Sequence, residues 1–67
     1  MAVARVTEIS STSNTSFEDA IKQGLARANS TLRNVRSAWI KEQQVRVDGG
    51  EISEYQVNML VTFVLDD

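Results

Sequence analysis

Tyr55, Val57, Met59, Val61, Phe63 and Leu65 are apolar at every second position, with Glu54, Gln56, Asn58 and Thr62 among the residues between them. Side chains of a strand alternate sides at a period of two, so this stretch presents one continuous apolar face only if it is extended. At about 3.4 Å per residue, a strand of fourteen or so residues is far longer than the usual roughly five or six. A chain of 67 residues is therefore expected to organise around one long strand, as a single domain over residues 1–67.

The other elements are read against that strand. Residues 2–10 read as a first strand through Val3, Val6, Thr7 and Ile9, and the hydroxyl-rich run 10–16 reads as a loop. Thr15-Ser-Phe-Glu18 matches a capping box, in which a hydroxyl and a carboxylate satisfy reciprocal backbone donors, so a helix is expected to start there. Phe17, Ala20, Ile21, Leu25, Ala28 and Leu32 fall in one stripe at the helical period. Gly24 lies on that stripe and costs about 1 kcal/mol against alanine; it marks either close approach of another backbone or simple tolerance. Glu18, Asp19, Lys22, Gln23, Arg27 and Arg33 form the polar face, acidic early and basic late as the helix dipole prefers. A second strand is expected over 36–47, and Asp48-Gly49-Gly50 supplies residues able to take positive φ in a hairpin turn. The expected fold class is α+β: a βαββ chain with a three-stranded antiparallel sheet wrapped around one helix.

A helix of about 16 residues spans only roughly 24 Å, so the hairpin outreaches it. Leu60, Val64 and Trp39 are expected on or near the face opposite the helix, where they need a further surface. A domain this short buries only roughly 60% of the surface of its unfolded chain. Small proteins compensate with disulfides, metals or self-association, and the sequence has no cysteine and no histidine. The absence of those residues removes the usual zinc, haem and iron–sulfur ligand sets and the Ser/His/Asp and Cys/His devices. Closed self-assembly without catalysis is the expectation. Seven basic against nine acidic residues give a net charge of −2, which is no nucleic-acid footprint. There is no apolar run of bilayer length, and the start Met1-Ala-Val-Ala-Arg-Val lacks the form of a signal peptide, so a cytoplasmic location is expected.

From Val6 to Leu65 the order and spacing of these segments resemble the dodecin family. The residues that carry the likeness are Ser11-Thr-Ser13 after the first strand, Ala26-Arg-Ala28 and Thr31-Leu-Arg33 in and after the helix, and Tyr55-Gln-Val57 leading into Val61-Thr-Phe63. The resemblance implies a hollow homododecamer of cubic symmetry, helices outside and sheets lining the interior. It also implies a flavin held between subunits, stacked by a tryptophan early in the second strand and met by a glutamine in the third. Gln56 matches that glutamine, whose amide offers both a donor and an acceptor. The tryptophan position falls on Ser37, a departure from the family pattern. Trp39, the single tryptophan, lies two residues on and on the same strand face, about 6.8 Å along. Two readings of Trp39 stand: a shifted stacking platform, or an aromatic residue packed in a subunit interface.

Arginines that meet a flavin phosphate in some relatives fall here on Gln44 and Val64. Arg46 shares a face with Gln44 and is the available substitute. The expected flavin-binding residues are thus Trp39, Gln56, Ser37 and Arg46, and riboflavin or lumichrome is favoured over FMN. An alternative is a flavin-free shell that binds calcium or magnesium through symmetry-repeated carboxylates, drawn from Glu42, Asp48, Glu51, Glu54, Asp66 and Asp67. A purely structural oligomer or interaction module without a small ligand is a third possibility.

Overall fold

The long alternating strand is the middle strand of the sheet. In a computed structural model that describes residues 2–65, the chain runs β1 (Ala4–Ser13), α1 (Phe17–Thr31), β2 (Val35–Asp48) and β3 (Glu51–Val64). The sheet order is β1-β3-β2, with both pairings antiparallel. This is the expected βαββ arrangement of three antiparallel strands and one helix. Only β3 has neighbours on both edges, which is why its alternation is the cleanest in the sequence: one of its faces is closed by α1 along much of its length.

The core follows from that alternation. Val57, Met59 and Val61 of β3 are fully buried against Ala20 and Ala28 of α1, with Ile9, Phe17, Ile21, Leu25, Leu32, Val35 and Ala38 packed around them. The residues α1 buries are all small, Ala20, Gly24 and Ala28, at intervals of four that keep them on one face. A small-residue face lets the helix axis approach the sheet, and the larger Met59 fills the space. A Cβ at Gly24 would collide with Met59 Cε and lie 3.0 Å from Ser11 Cβ. Gly24 is therefore a close-approach position, although side chains rather than another backbone make the approach. Overpacking a filled core costs typically about 1–3 kcal/mol. Gly24→Val should lower stability by about that much, read as a lower urea midpoint at unchanged slope.

Three boundaries differ from the sequence reading. The strand β1 continues through Ser11-Thr-Ser13, where a loop was expected, because these residues pair with Val57, Gln56 and Tyr55; the ladder outweighs the turn preference of their side chains. The helix N-cap is Ser16, not Thr15: the Ser16 hydroxyl accepts from the Asp19 backbone N–H at 3.0 Å. Asp19 also accepts from Ser13 Oγ and Gln23 Nε2, both at 2.6 Å, which ties the strand end to the first helical turn. Removing the cap with Ser16→Ala should cost about 1 kcal/mol, measurable as a fall in melting temperature. Arg33 lies beyond the helix, whose C-cap is Leu32 and whose last turn carries no basic residue.

The hairpin turn is as expected. Gly49 and Gly50 take φ of 60° and 80°, the paired positive values of a two-residue turn that matches strand twist. The strand β1 accompanies β3 only from Tyr55 to Val64, and α1 begins where Phe17 meets Tyr55 edge-on, ring centroids 5.1 Å apart. Past that point β2 and β3 continue as a bare two-stranded ribbon, in a molecule 52 Å long and 13 Å thin.

Candidate functional site

The sheet face away from α1 carries the chemistry. Partners in an antiparallel ladder share a face, so the register defines rows across the sheet: Val6, Thr62 and Ser37; Glu8, Leu60 and Trp39; Ser10, Asn58 and Glu42; Thr12, Gln56 and Gln44. Arg46 and Glu54 form a further pair on the ribbon. A register shift between Ile40 and Glu42 leaves Lys41 as the extra residue of a β-bulge. That bulge has a consequence for the whole face. Simple alternation would send Trp39 and Glu42 to opposite sides, whereas the bulge returns both to the open face together with Gln44 and Arg46.

Trp39 is 71% exposed and stands beside the half-buried Leu60. Covering an indole of roughly 200 Å² exposed to that degree is worth about 3–4 kcal/mol at roughly 25 cal/mol per Å². Ser37 lies on the same face in the neighbouring row, as expected. The polar residues around them are mutually engaged. Lys41 Nζ reaches Glu8 at 3.3 Å, and Asn58 Nδ2 donates to Glu42 Oε1 at 3.0 Å. Gln56 Nε2 donates to Ser10 Oγ at 2.8 Å, and Arg46 Nε donates to Glu54 Oε1 at 2.8 Å. Exposed pairs of this kind are worth little in energy, but they fix which donors and acceptors point outward.

One copy does not gather the four expected flavin-binding residues. Ser37 and Trp39 sit in adjacent rows, but the row of Gln56 lies four residues from that of Leu60 along β3, about 14 Å away, and Arg46 lies farther still. Gln56 keeps its amide oxygen for an incoming donor, because its nitrogen is held by Ser10. A pocket using both Trp39 and Gln56 would have to combine faces of different copies. Lys41 and Glu8 had no part in the sequence reading, and they line the face beside Trp39, where Leu60 lies as expected. Nothing in the local pattern marks Lys41, since a bulge is visible only in the pairing.

The carboxylates are dispersed. Among the described residues no three of His, Cys, Asp and Glu come together as a metal site. Glu42 and Glu54 hold Asn58 and Arg46, Asp48 and Glu51 pair at the hairpin tip, and Asp66 and Asp67 lie outside the described residues. No helix among the described residues is long and apolar enough to cross a membrane.

Comparison with known proteins places this geometry in context. A family model described as Dodecin matches residues 3–66. The chain is 33% identical over 63 residues to the calcium dodecin of Mycobacterium tuberculosis, covering 94% of this chain and 89% of that protein. Among solved structures, dodecin from Streptomyces davaonensis superposes with a TM-score of 0.93 at 36% identity, over 98% of this chain and 97% of the other. The structure of the M. tuberculosis calcium dodecin, described as having a novel calcium-binding site, superposes with a TM-score of 0.82 at 34% identity, over 96% and 91% of the two chains.

Proposed function

The chain belongs to the dodecin family, and from that premise we propose that it is a cytoplasmic, non-enzymatic storage protein. In this reading twelve copies close into a shell and sequester a flavin-type ring against Trp39 between subunits. The observation that carries the reading is the indole itself, 71% exposed on an otherwise hydrogen-bonded sheet face with Leu60 at its side. A planar apolar ring stacked there removes from water a surface that the single chain leaves bare, and base-like rings on aromatic platforms gain about 1–3 kcal/mol each.

The open face also bears on which flavin. At the positions where relatives carry phosphate-binding arginines stand Gln44 and Val64, and the nearby cations Lys41 and Arg46 are each committed to a carboxylate. A neutral-tailed flavin such as riboflavin or lumichrome suits this face better than FMN. Riboflavin titrated with the purified oligomer should lose fluorescence through stacking on the indole, and FMN should bind more weakly. Unchanged emission at protein concentrations in excess of the flavin would overturn the flavin reading.

The calcium dodecin of M. tuberculosis favours a second reading, a flavin-free shell that holds calcium or magnesium. Hard cations take several oxygen ligands, and the dispersed carboxylates of one copy supply them only if several copies converge. Bound calcium at a hundredfold excess over its dissociation constant would stabilise the folded state by about 2.7 kcal/mol. The expected result is a melting temperature that rises with calcium and returns on chelation; no shift would remove this reading. Native mass spectrometry tests the assembly separately, with twelve subunits expected.

A further inference from the structure

Trp39 does not stand alone on its row. Its ladder partner is Leu60, whose partner on the other side is Glu8, so an indole, an aliphatic floor and a carboxylate follow one another across the three strands. Two strand spacings of about 4.8 Å each set the backbones of Trp39 and Glu8 about 10 Å apart. Lys41 closes the arrangement. As the extra residue of the bulge it starts on β2, crosses β3 on the open face, and brings its ammonium to 3.3 and 3.4 Å from the two carboxylate oxygens of Glu8. Both side chains are 48% exposed, so a pair that adds little stability in water is held at the rim of an uncovered apolar surface.

The pair keeps hydrogen-bonding capacity to spare. An ammonium has three donors and a carboxylate about four acceptor sites, so their mutual contact leaves a free donor and free acceptor sites side by side. That is the complement of an imide edge, in which a carbonyl oxygen lies next to an N–H. A flavin-type ring system has such an edge at one end and an apolar benzenoid ring at the other. Gln56, the residue expected to meet that edge, lies about 14 Å along β3 from the row of Trp39 and has its nitrogen held by Ser10. It does not serve a ring stacked on the indole of its own copy.

We propose that Lys41 and Glu8 read the imide edge of the ring that stacks on Trp39: the Lys41 ammonium donates to a ring carbonyl, and the Glu8 carboxylate accepts from the neighbouring ring N–H. This inference rests on the flavin reading above and adds to it a ligand class, a fused planar ring with an unsubstituted imide, and the two residues that select it. It also gives the displaced tryptophan a chemical reason. On the row of Ser37 an indole would face Thr62 and Val6, which offer no such pair, whereas on the row of Leu60 it is in line with Glu8. A seated ring shields the pair from water, and hydrogen bonds to charged groups gain strength in a less polar surrounding.

The test compares lumiflavin with its derivative methylated at the imide nitrogen, which keeps the ring system and loses the N–H. The wild-type oligomer should quench both, binding the methylated ring about tenfold or more weakly, the loss that one charge-assisted hydrogen bond represents. In the double variant Glu8→Leu with Lys41→Met, the affinity for lumiflavin should fall to that for the methylated ring and the preference should vanish. Equal affinities in the wild type would overturn the imide assignment and leave the stacking reading standing, whereas no quenching of either ring would overturn both. A preference that survives in the double variant would assign the edge to another group, and loss of both rings together would make the pair structural; either result overturns the proposal. The comparison of the two rings needs only the wild-type chain, so it decides even if the double variant fails to fold.

Discussion

Met59→Ala should destabilise the protein by about 2–5 kcal/mol, the largest effect expected of any single truncation. Met59 is fully buried, belongs to the core cluster, and ends against Gly24, where a Cβ would collide with it. Truncation leaves a cavity beneath a helix that presents only Ala20, Gly24 and Ala28 there, and none of these is long enough to fill it. At roughly 0.05–0.15 kcal/mol per residue, a chain of 67 residues has a total stability comparable to the loss. The isolated subunit is expected to unfold near room temperature, with whatever structure remains becoming dependent on protein concentration. Met59→Leu, which keeps the volume, should cost less than about 1.5 kcal/mol. Urea unfolding followed by far-ultraviolet circular dichroism distinguishes the two. Equal midpoints for the variants would show that the space under Gly24 collapses freely, contrary to the packing described.

Trp39→Ala should abolish riboflavin quenching while leaving the fold and the native mass unchanged. The indole projects from the open face and takes no part in the buried core, so its loss removes a platform and little packing within the chain. Loss of about 1–3 kcal/mol of stacking corresponds to roughly a 5- to 150-fold weaker affinity. A second substitution sharpens the test. Ser37 and Trp39 share a face in adjacent rows, so Ser37→Trp in the Trp39→Ala background moves the ring back by about 6.8 Å to the position that other dodecins use. Restored quenching there would show that the shell keeps a flavin-sized gap and that Trp39 is a displaced platform. If Trp39→Ala instead leaves quenching intact but reduces the native mass, the tryptophan is an interface residue and the ligand reading fails.

The candidate site was only partly legible beforehand. The placing of Ser37 and Trp39 on a common face follows from a period of two with no break between them, and the pairing of both with β3 residues of the open face bears it out. The joint placement of Trp39 with Glu42, Gln44 and Arg46 was not legible. It depends on the bulge at Lys41, where strand β2 carries one residue more than its partner, and no residue type at that position announces the insertion. The commitments of Gln56 to Ser10 and of Lys41 to Glu8 span strands that are distant in sequence and were invisible for the same reason.

The sequence by itself determined the succession of elements. A period-two run closed on one face, a period-3.6 stripe of small and apolar residues, and a pair of glycines in the turn are local signals, each written within one element and read without knowing its neighbours. The tertiary structure decided the rest. It placed β3 between β1 and β2, carried β1 through a stretch of serine and threonine whose intrinsic preference is for turns, moved the helix cap to Ser16, and brought Trp39 onto one face with Glu42, Gln44 and Arg46 by a bulge. The cap is tied to the end of β1 through Ser13 and Asp19, and the other outcomes depend on pairing energy between strands. That energy exists only once the strands are side by side, so no window of sequence contains it.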